Sequence, residues 1–113
     1  MDCLFCKIAA GTIPSKFIYE DDQIVAFNDI APQAPHHILI IPRKHIATIN
    51  DITAENNSLI GDMVLVAKKI ASSLNIADPG YRLVMNCNKN GGQAVYHIHF
   101  HLLGGRQMAW PPG

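Results

Sequence analysis

The chain has 113 residues, of which 49% are hydrophobic, so it is long enough to bury an ordinary core and too short for two; one domain spanning residues 1–113 is predicted. Nine basic residues balance nine acidic ones, which argues against nucleic acid or an anionic membrane as a partner and favours a small ligand. The beginning resembles no secretion signal, no apolar run approaches about 20 residues, and three cysteines do not suggest a secreted disulfide framework. A cytoplasmic location is therefore predicted.

The first part of the chain predicts a short helix followed by three strands. Apolar residues at helical spacing come first, and two apolar segments on either side of an acidic turn then indicate a hairpin. The predicted elements are a helix at 3–10 ended by Gly11, strands at 17–19 and 24–27, a proline-containing loop at 28–35 and a buried strand at 37–41.

The second part predicts one long helix and two more strands. Asp51 or Thr53 is predicted to cap the helix, whose apolar residues recur at spacings of three and four: Leu59, Met63, Val66, Ile70 and Leu74. A turn at 78–80 leads into a strand at 81–86, and a polar loop at 87–92 returns the chain antiparallel. Strands before and after a single long helix indicate an α+β protein with an antiparallel sheet covered on one face.

Three histidines near the end carry the chemistry. His97, His99 and His101 alternate with apolar residues between glycine-containing turns, a period of two that predicts a strand with imidazoles on one face. Such a row spans about 13 Å, too far for all three to bind one metal ion, although one of them could still do so. The row better fits a central reactive imidazole with a neighbour on each side. Imidazole chemistry of this kind suits phosphoryl transfer.

The segment from His97 to Leu103 matches the motif of the histidine triad (HIT) family. Together with Gly92-Gln93 and the end of the chain from Gly104 to Gly113, it most resembles the Hint branch, the purine nucleoside phosphoramidases and histidine triad nucleotide-binding proteins. The resemblance implies a HIT-like fold with a five-stranded antiparallel sheet, one long helix and a short N-terminal helix. It also implies a homodimer that extends the sheet, with Trp110 buried at the dimer contact.

The resemblance further implies a reaction. The chain is expected to hydrolyse the P–N bond of adenosine 5'-phosphoramidates, such as AMP-lysine, through a nucleotidyl intermediate on His99 and with no cofactor for catalysis. His101 is expected to bind phosphoryl oxygens and to help protonate the leaving amine, His97 to hold the array, and His37 to relay protons. Two alternatives stay open: hydrolysis of dinucleoside polyphosphates, and a nucleotide-binding regulatory protein with vestigial catalysis.

By the same resemblance, the ligand is a purine nucleoside monophosphate or phosphoramidate. Asp29 is expected to bind the ribose hydroxyls. Apolar side chains are expected to contact the purine: Phe5, Ile8, Phe27, Ile30 and Leu39. The phosphate is expected to meet Asn86, Gly92, Gln93, Ala94 and Val95. Ala94 stands where many relatives have a polar residue, so a hydrogen bond worth about 1.5–3 kcal/mol is missing and substrate preference is open.

A structural zinc site is the last expectation. Cys3 and Cys6 have the spacing of half a zinc site, which alone is weak evidence and equally fits packing residues of a short helix. Some bacterial relatives have this pair together with a histidine that matches His45, and there the first triad histidine, here His97, completes the site. The resemblance therefore implies zinc bound by these four residues.

Overall fold

The structure, a computed structural model, describes residues 3–113, which fold around a five-stranded antiparallel sheet. The strands are β1 (Phe17–Glu20), β2 (Ile24–Asn28), β3 (His36–Pro42), β4 (Tyr81–Val84) and β5 (Phe100–Gly104). Their order across the sheet is β1-β2-β3-β5-β4, which makes β3 central and β4 an edge strand. The helices are α1 (Leu4–Ala9), α2 (Asn57–Ser73) and the single turn α3 (Asn88–Gly91). The predicted α+β fold is confirmed.

The sheet is covered on both faces over β2 and β3, so the prediction of one covered face is wrong. One face packs against α2 through alternate strand residues and the predicted helix stripe: Ile24, Ala26, Ile38, Ile40, Met63, Val66 and Ile70. The other face packs against α1: Val25, Phe27, Leu39 and Ile41 with Phe5 and Ile8. Because both strands carry unbroken apolar runs, each face presents apolar side chains and needs its own cover.

The start of α2 differs from the prediction. Two short 3₁₀ turns, Ile49–Asp51 and Ala54–Asn56, precede the helix, and Asn56 is its N-cap residue. Asp51 instead accepts hydrogen bonds from Thr48, and Thr53 pairs with Asn56. Both predicted caps therefore stabilise the approach to α2 rather than its first turn. Within residues 3–113, no helix has the length and apolar character needed to span a membrane.

The loop predicted at 87–92 is also more ordered than expected. Residues Asn88–Gly91 form the helical turn α3, which ends at Gly92 in the left-handed conformation with φ of 80°. Strand β4 accordingly ends at Val84 and not at Asn86. Glycine adopts this left-handed conformation without steric strain, which explains why Gly92 ends the helical turn in the loop that leads to His97.

Candidate active site

The three triad histidines do not lie on one regular strand. β5 begins at Phe100, so His101 is in the sheet while His97 and His99 lie in the segment before it. The β3–β5 ladder ends at the pair Ile40 and Phe100, and two residues further along β3 lies Pro42, which has no N–H and whose carbonyl accepts from His97 Nε2 at 2.7 Å. His97 and His99 nevertheless lie on the same side, since the ring of Phe5 meets both of their rings edge-on, with centroids 6.0 and 5.0 Å away. The predicted all-imidazole strand is therefore correct only at its C-terminal end.

His99 is held with one ring nitrogen committed to the backbone. Its Nδ1 lies 2.7 Å from the carbonyl oxygen of His97, which can only accept, so Nδ1 carries the proton and Nε2 keeps its lone pair. The ring is 6% exposed, and Phe5 packs edge-on against it with ring centroids 5.0 Å apart. Burial lowers the pKa of His99, which keeps the ring neutral. A buried neutral imidazole with a fixed Nε2 lone pair is a competent nucleophile.

His101 belongs to a second arrangement, together with His37 of β3. His37 Nε2 and His101 Nδ1 are 2.9 Å apart, and the backbone N–H of Gln33 donates to His37 Nδ1 at 3.0 Å. His37 Nε2 therefore carries the proton and donates to His101, whose own proton is placed on Nε2. Burial, with His99 and His37 nearby, lowers the pKa of His101 to about 4, so this ring is neutral at pH 7.

Asp29 lies at the same end of the site. Its Oδ2 is 3.5 Å from His37 Nε2, and its Oδ1 accepts from the N–H of Ala31 at 2.8 Å. The carboxylate is thus fixed by its own loop and remains partly exposed. The ligand atoms of Asp29, His37 and His101 all lie within 4.8 Å of one another, a spacing suitable for a metal ion. The tautomer of His37 opposes that use, because its Nε2 carries a proton instead of a free lone pair.

The first triad histidine joins a different cluster. His97 Nδ1 lies 3.3 Å from Cys3 Sγ, 3.5 Å from Cys6 Sγ and 3.3 Å from His45 Nδ1. Cys6 Sγ is 3.4 Å from His45 Nδ1. These four residues, brought together from α1, the loop after β3 and the triad segment, are the ones for which zinc ligation was expected.

The donor set fits a tetrahedral zinc ion. Zinc bonds of about 2.0–2.3 Å place neighbouring ligand atoms of a tetrahedron about 3.3–3.8 Å apart. The four distances between ligand atoms here are 3.3–3.5 Å. His97 Nε2 donates to the Pro42 carbonyl, so Nδ1 has the free lone pair and faces the cluster. Burial raises the pKa of the Cys6 thiol to about 11, with a further contribution from Cys3, so a thiolate here needs a bound cation at neutral pH.

The apolar residues expected to contact a purine separate into two groups. Phe5, Ile8, Phe27 and Leu39 lie in one buried cluster, with Val95 packed against it. Ile30 is fully exposed and contributes nothing to that cluster. The first group is therefore part of the core as well as a wall beside His99, whereas Ile30 is a free apolar side chain on the Asp29 loop.

The segment before the triad is fastened by Gln93. Its Nε2 donates to the carbonyls of Ala47 and Val95 at 2.8 and 3.1 Å, and its Oε1 accepts from the N–H of Asn88. Both amide hydrogens are thus in use, so the side chain holds the loop and has no free donor for a phosphate. Ala94 and Gly92 are exposed, and Asn86 is half-buried.

The geometry agrees with a family comparison. The model of the HIT domain matches residues 10–108, most of the chain. The chain belongs to the HIT domain family. This membership accounts for the alternating histidines and for the long helix packed on the sheet.

Individual HIT domain relatives extend over the whole chain. The chain is 55% identical to a purine nucleoside phosphoramidase of Escherichia coli K12 over 107 residues, 95% of this chain and 90% of that protein. A crystal structure of a HIT family hydrolase from Legionella pneumophila has 59% identity and a TM-score of 0.98, covering 99% of this chain and 100% of the other. A histidine triad nucleotide-binding protein from Candida albicans has 34% identity and a TM-score of 0.82, covering 97% and 83%.

Two contributors to this HIT domain site had no signal in the sequence. Gln33 acts through its backbone N–H, and Pro42 through its carbonyl, so neither side chain indicates the role. Trp110, expected at a dimer contact, is 82% exposed in the single chain and stacks on Arg82, with the guanidinium carbon 5.9 Å from the ring centroid. The tail therefore lies along β4, the edge strand.

Proposed function

We propose that this chain is a purine nucleoside phosphoramidase that hydrolyses the P–N bond of adenosine 5'-phosphoramidates such as AMP-lysine. The carrying observation is the fixed ring of His99, whose Nδ1 is bonded to the His97 carbonyl at 2.7 Å and whose Nε2 lone pair is left for attack. The 55% identity to the Escherichia coli enzyme supports the same reaction.

The reaction proceeds in two displacements. His99 Nε2 attacks the α-phosphorus, the P–N bond breaks with its electron pair on the amine nitrogen, and that nitrogen takes a proton from solvent. Water then attacks the phosphorus, the bond to Nε2 breaks with its electron pair returning to His99, and one water proton is released. In both steps the Nε2–H of His101 donates a hydrogen bond to a phosphoryl oxygen. Burial lowers the pKa of His101, so the ring is neutral in the free site and we assign it this hydrogen bond. Its expected help in protonating the leaving amine stays a prediction.

We assign substrate binding to the two loops that flank the histidines. The Asp29 carboxylate accepts hydrogen bonds from the ribose hydroxyls. The buried apolar cluster that includes Phe5 and Phe27 contacts the purine base, and Ile30 on the Asp29 loop also contacts it. Asn86 and the backbone of residues 92–95 meet the phosphate. Gln93 keeps that backbone in place through its three hydrogen bonds.

We propose that Cys3, Cys6, His45 and His97 hold a structural zinc ion. When bound, zinc crosslinks α1 to the triad segment and stabilises the fold without entering the reaction. Support comes from the ligand spacing and from the His97 tautomer, which directs a lone pair into the cluster.

We also propose a homodimer that joins the two sheets and covers the tail. β4 is an edge strand, and Trp110 beside it is 82% exposed, a large apolar surface for a single chain. Sedimentation should give twice the chain mass, and removal of residues 108–113 should weaken self-association and change substrate preference. An unchanged mass and preference after this deletion would contradict the assignment.

The activity is tested by AMP release from a lysine-linked adenosine phosphoramidate, with and without a chelator. Wild type should release AMP in both conditions, and His99→Ala should lose on the order of 10⁴-fold or more in kcat. The control is His36→Ala, which changes a histidine that is adjacent to His37 in the chain but lies outside the site. This variant should stay active. A folded wild type that binds AMP but releases none would refute the proposal, and cleavage of a dinucleoside polyphosphate instead would favour that rival substrate.

A further inference from the structure

Hydrogen bonds on the two backbone groups of Gln33 connect the C-terminal segment to His101, with the Cα of Gln33 as the covalent link between the two peptide units. Arg106 Nε donates to the Gln33 carbonyl at 3.0 Å, and the Gln33 N–H donates to His37 Nδ1 at 3.0 Å. His37 Nε2 lies 2.9 Å from His101 Nδ1. This connection starts at an exposed arginine and ends on a ring of the candidate active site.

The direction of these bonds is fixed by chemistry. A backbone N–H can only donate, so the nitrogen it meets, His37 Nδ1, has a lone pair and the ring proton is on Nε2. The Asp29 carboxylate oxygen Oδ2, which can only accept, lies 3.5 Å from that Nε2 and independently favours a proton there. His101 Nδ1 is then an acceptor, and the neutral ring carries its proton on Nε2.

We propose that the backbone amide of Gln33, held in place by Arg106, is a positioning device that keeps the proton of His101 on Nε2. Its kinetic consequence rests on the proposed function. With the proton on Nε2, His101 donates to a phosphoryl oxygen. In the opposite tautomer a bare Nε2 lone pair faces that oxygen, and the two acceptors repel each other.

Gly105 explains how Arg106 comes to lie beside Gln33. The residue has φ of 95°, and a Cβ added there would lie 2.9 Å from Cβ of Pro35, two residues after Gln33. Only a glycine lets the tail turn this close to the loop. The Gly104-Gly105 turn that ends the triad strand thus brings a guanidinium donor to the Gln33 carbonyl.

The test uses two substitutions at each of two residues, Gln33 and Arg106. Gln33→Pro removes the N–H that His37 accepts, whereas Gln33→Ala keeps that N–H and removes only the side chain. Arg106→Ala removes the anchor and Arg106→Lys keeps a donor, so these variants test the device without placing a proline. The ring nitrogens of ¹⁵N-histidine-labelled, metal-loaded protein are read by long-range ¹H–¹⁵N correlation, with kcat/KM for phosphoramidate hydrolysis measured in parallel.

Wild type and Gln33→Ala should show His101 protonated at Nε2. Gln33→Pro should move His101 toward protonation at Nδ1 and lower kcat/KM about tenfold, the value of one neutral hydrogen bond. Arg106→Ala should do both more weakly, about threefold, because its bond is exposed, and Arg106→Lys should restore part of the loss.

An Nδ1–H tautomer in wild type would overturn the proposal, as would ring signals that Gln33→Pro and Arg106→Ala both leave unchanged. The spectroscopic reading needs no substrate. A wild type with the expected tautomer that cleaves no phosphoramidate would therefore defeat the proposed activity alone and leave the positioning role supported.

Discussion

The two ends of the histidine triad, His97 and His101, carry the same side chain but lie in environments that fix different ring nitrogens as donor and acceptor. His97 donates from Nε2 to the Pro42 carbonyl and turns a lone pair on Nδ1 toward two thiols and a second imidazole. At the other end, His37 accepts from the Gln33 amide and turns an N–H toward His101 and Asp29. Both ends gather ligand atoms within 4.8 Å.

The difference between the two ends lies in one backbone group each. A carbonyl against one ring nitrogen leaves a lone pair on the other, whereas an amide N–H leaves a proton on the other. Convergent donor atoms are therefore insufficient evidence for a metal site until the tautomer of each histidine is known. By this criterion the cysteine cluster fits zinc and the Asp29 cluster does not.

The largest expected effect comes from removing the two thiols of the cysteine cluster. The double variant Cys3→Ser, Cys6→Ser should fall from about one zinc per chain to almost none and lose about 10 °C or more in Tm. Serine at position 3 can still accept the cap bond from the Cys6 N–H that the thiol now accepts, so the loss reports ligation and not capping. Metal analysis and calorimetry measure both effects.

The matched control is Cys87→Ser, which changes a cysteine outside the cluster and should leave zinc content and Tm unchanged. Wild type that binds two zinc ions per chain when two equivalents are added would contradict the difference between the two ends. Metal content that survives in the double variant would do so as well.

We expect the free energy of unfolding to decrease in acid because of His101. Its pKa of about 4 in the folded state lies below the ordinary value of about 6.5, so the unfolded chain binds more protons as the pH falls. This contribution to stability is complete above pH 6.5 and is lost progressively toward pH 4. It amounts to about 2 kcal/mol between pH 7 and pH 5.

Urea unfolding at both pH values measures this slope. His101→Gln should reduce this slope, and His36→Gln, a change of a histidine outside the site, should leave it unchanged. If His101→Gln leaves the slope unchanged, burial of the neutral His101 ring is not the cause of the loss of stability in acid.

The pKa of His99 is also lowered by burial, so enzyme activity should persist below pH 6.5, where an ordinary imidazole becomes charged.

Patterns in the chain predicted those parts of the molecule in which side chains decide the structure. The stripe from Leu59 to Leu74, which periodicity predicted, does pack on the sheet. The Cys3, Cys6, His45 and His97 cluster, which the family resemblance implied, does come together. The cap of α2 and the early end of the triad strand were missed. The strand ends early because Pro42 lacks an N–H and uses its carbonyl for His97. The cap was missed because the side chains of Asp51 and Asn56 close two 3₁₀ turns before α2, which helical periodicity does not record.

The smallest expected effect concerns Ala94, in the loop that precedes the triad. Ala94 is exposed beside Val95, and Gln93 already fixes the local backbone, so a serine hydroxyl there would be presented without rearrangement. Ala94→Ser should raise kcat/KM for a phosphoramidate about threefold to tenfold, below the full value of a hydrogen bond to a charged group because water competes at an exposed position. Ala77→Ser, an exposed change remote from the site, should have no effect. If Ala94→Ser also has none, the fixed imidazoles of His99 and His101 already satisfy the phosphate, and recognition depends on the two histidines more than on the loop.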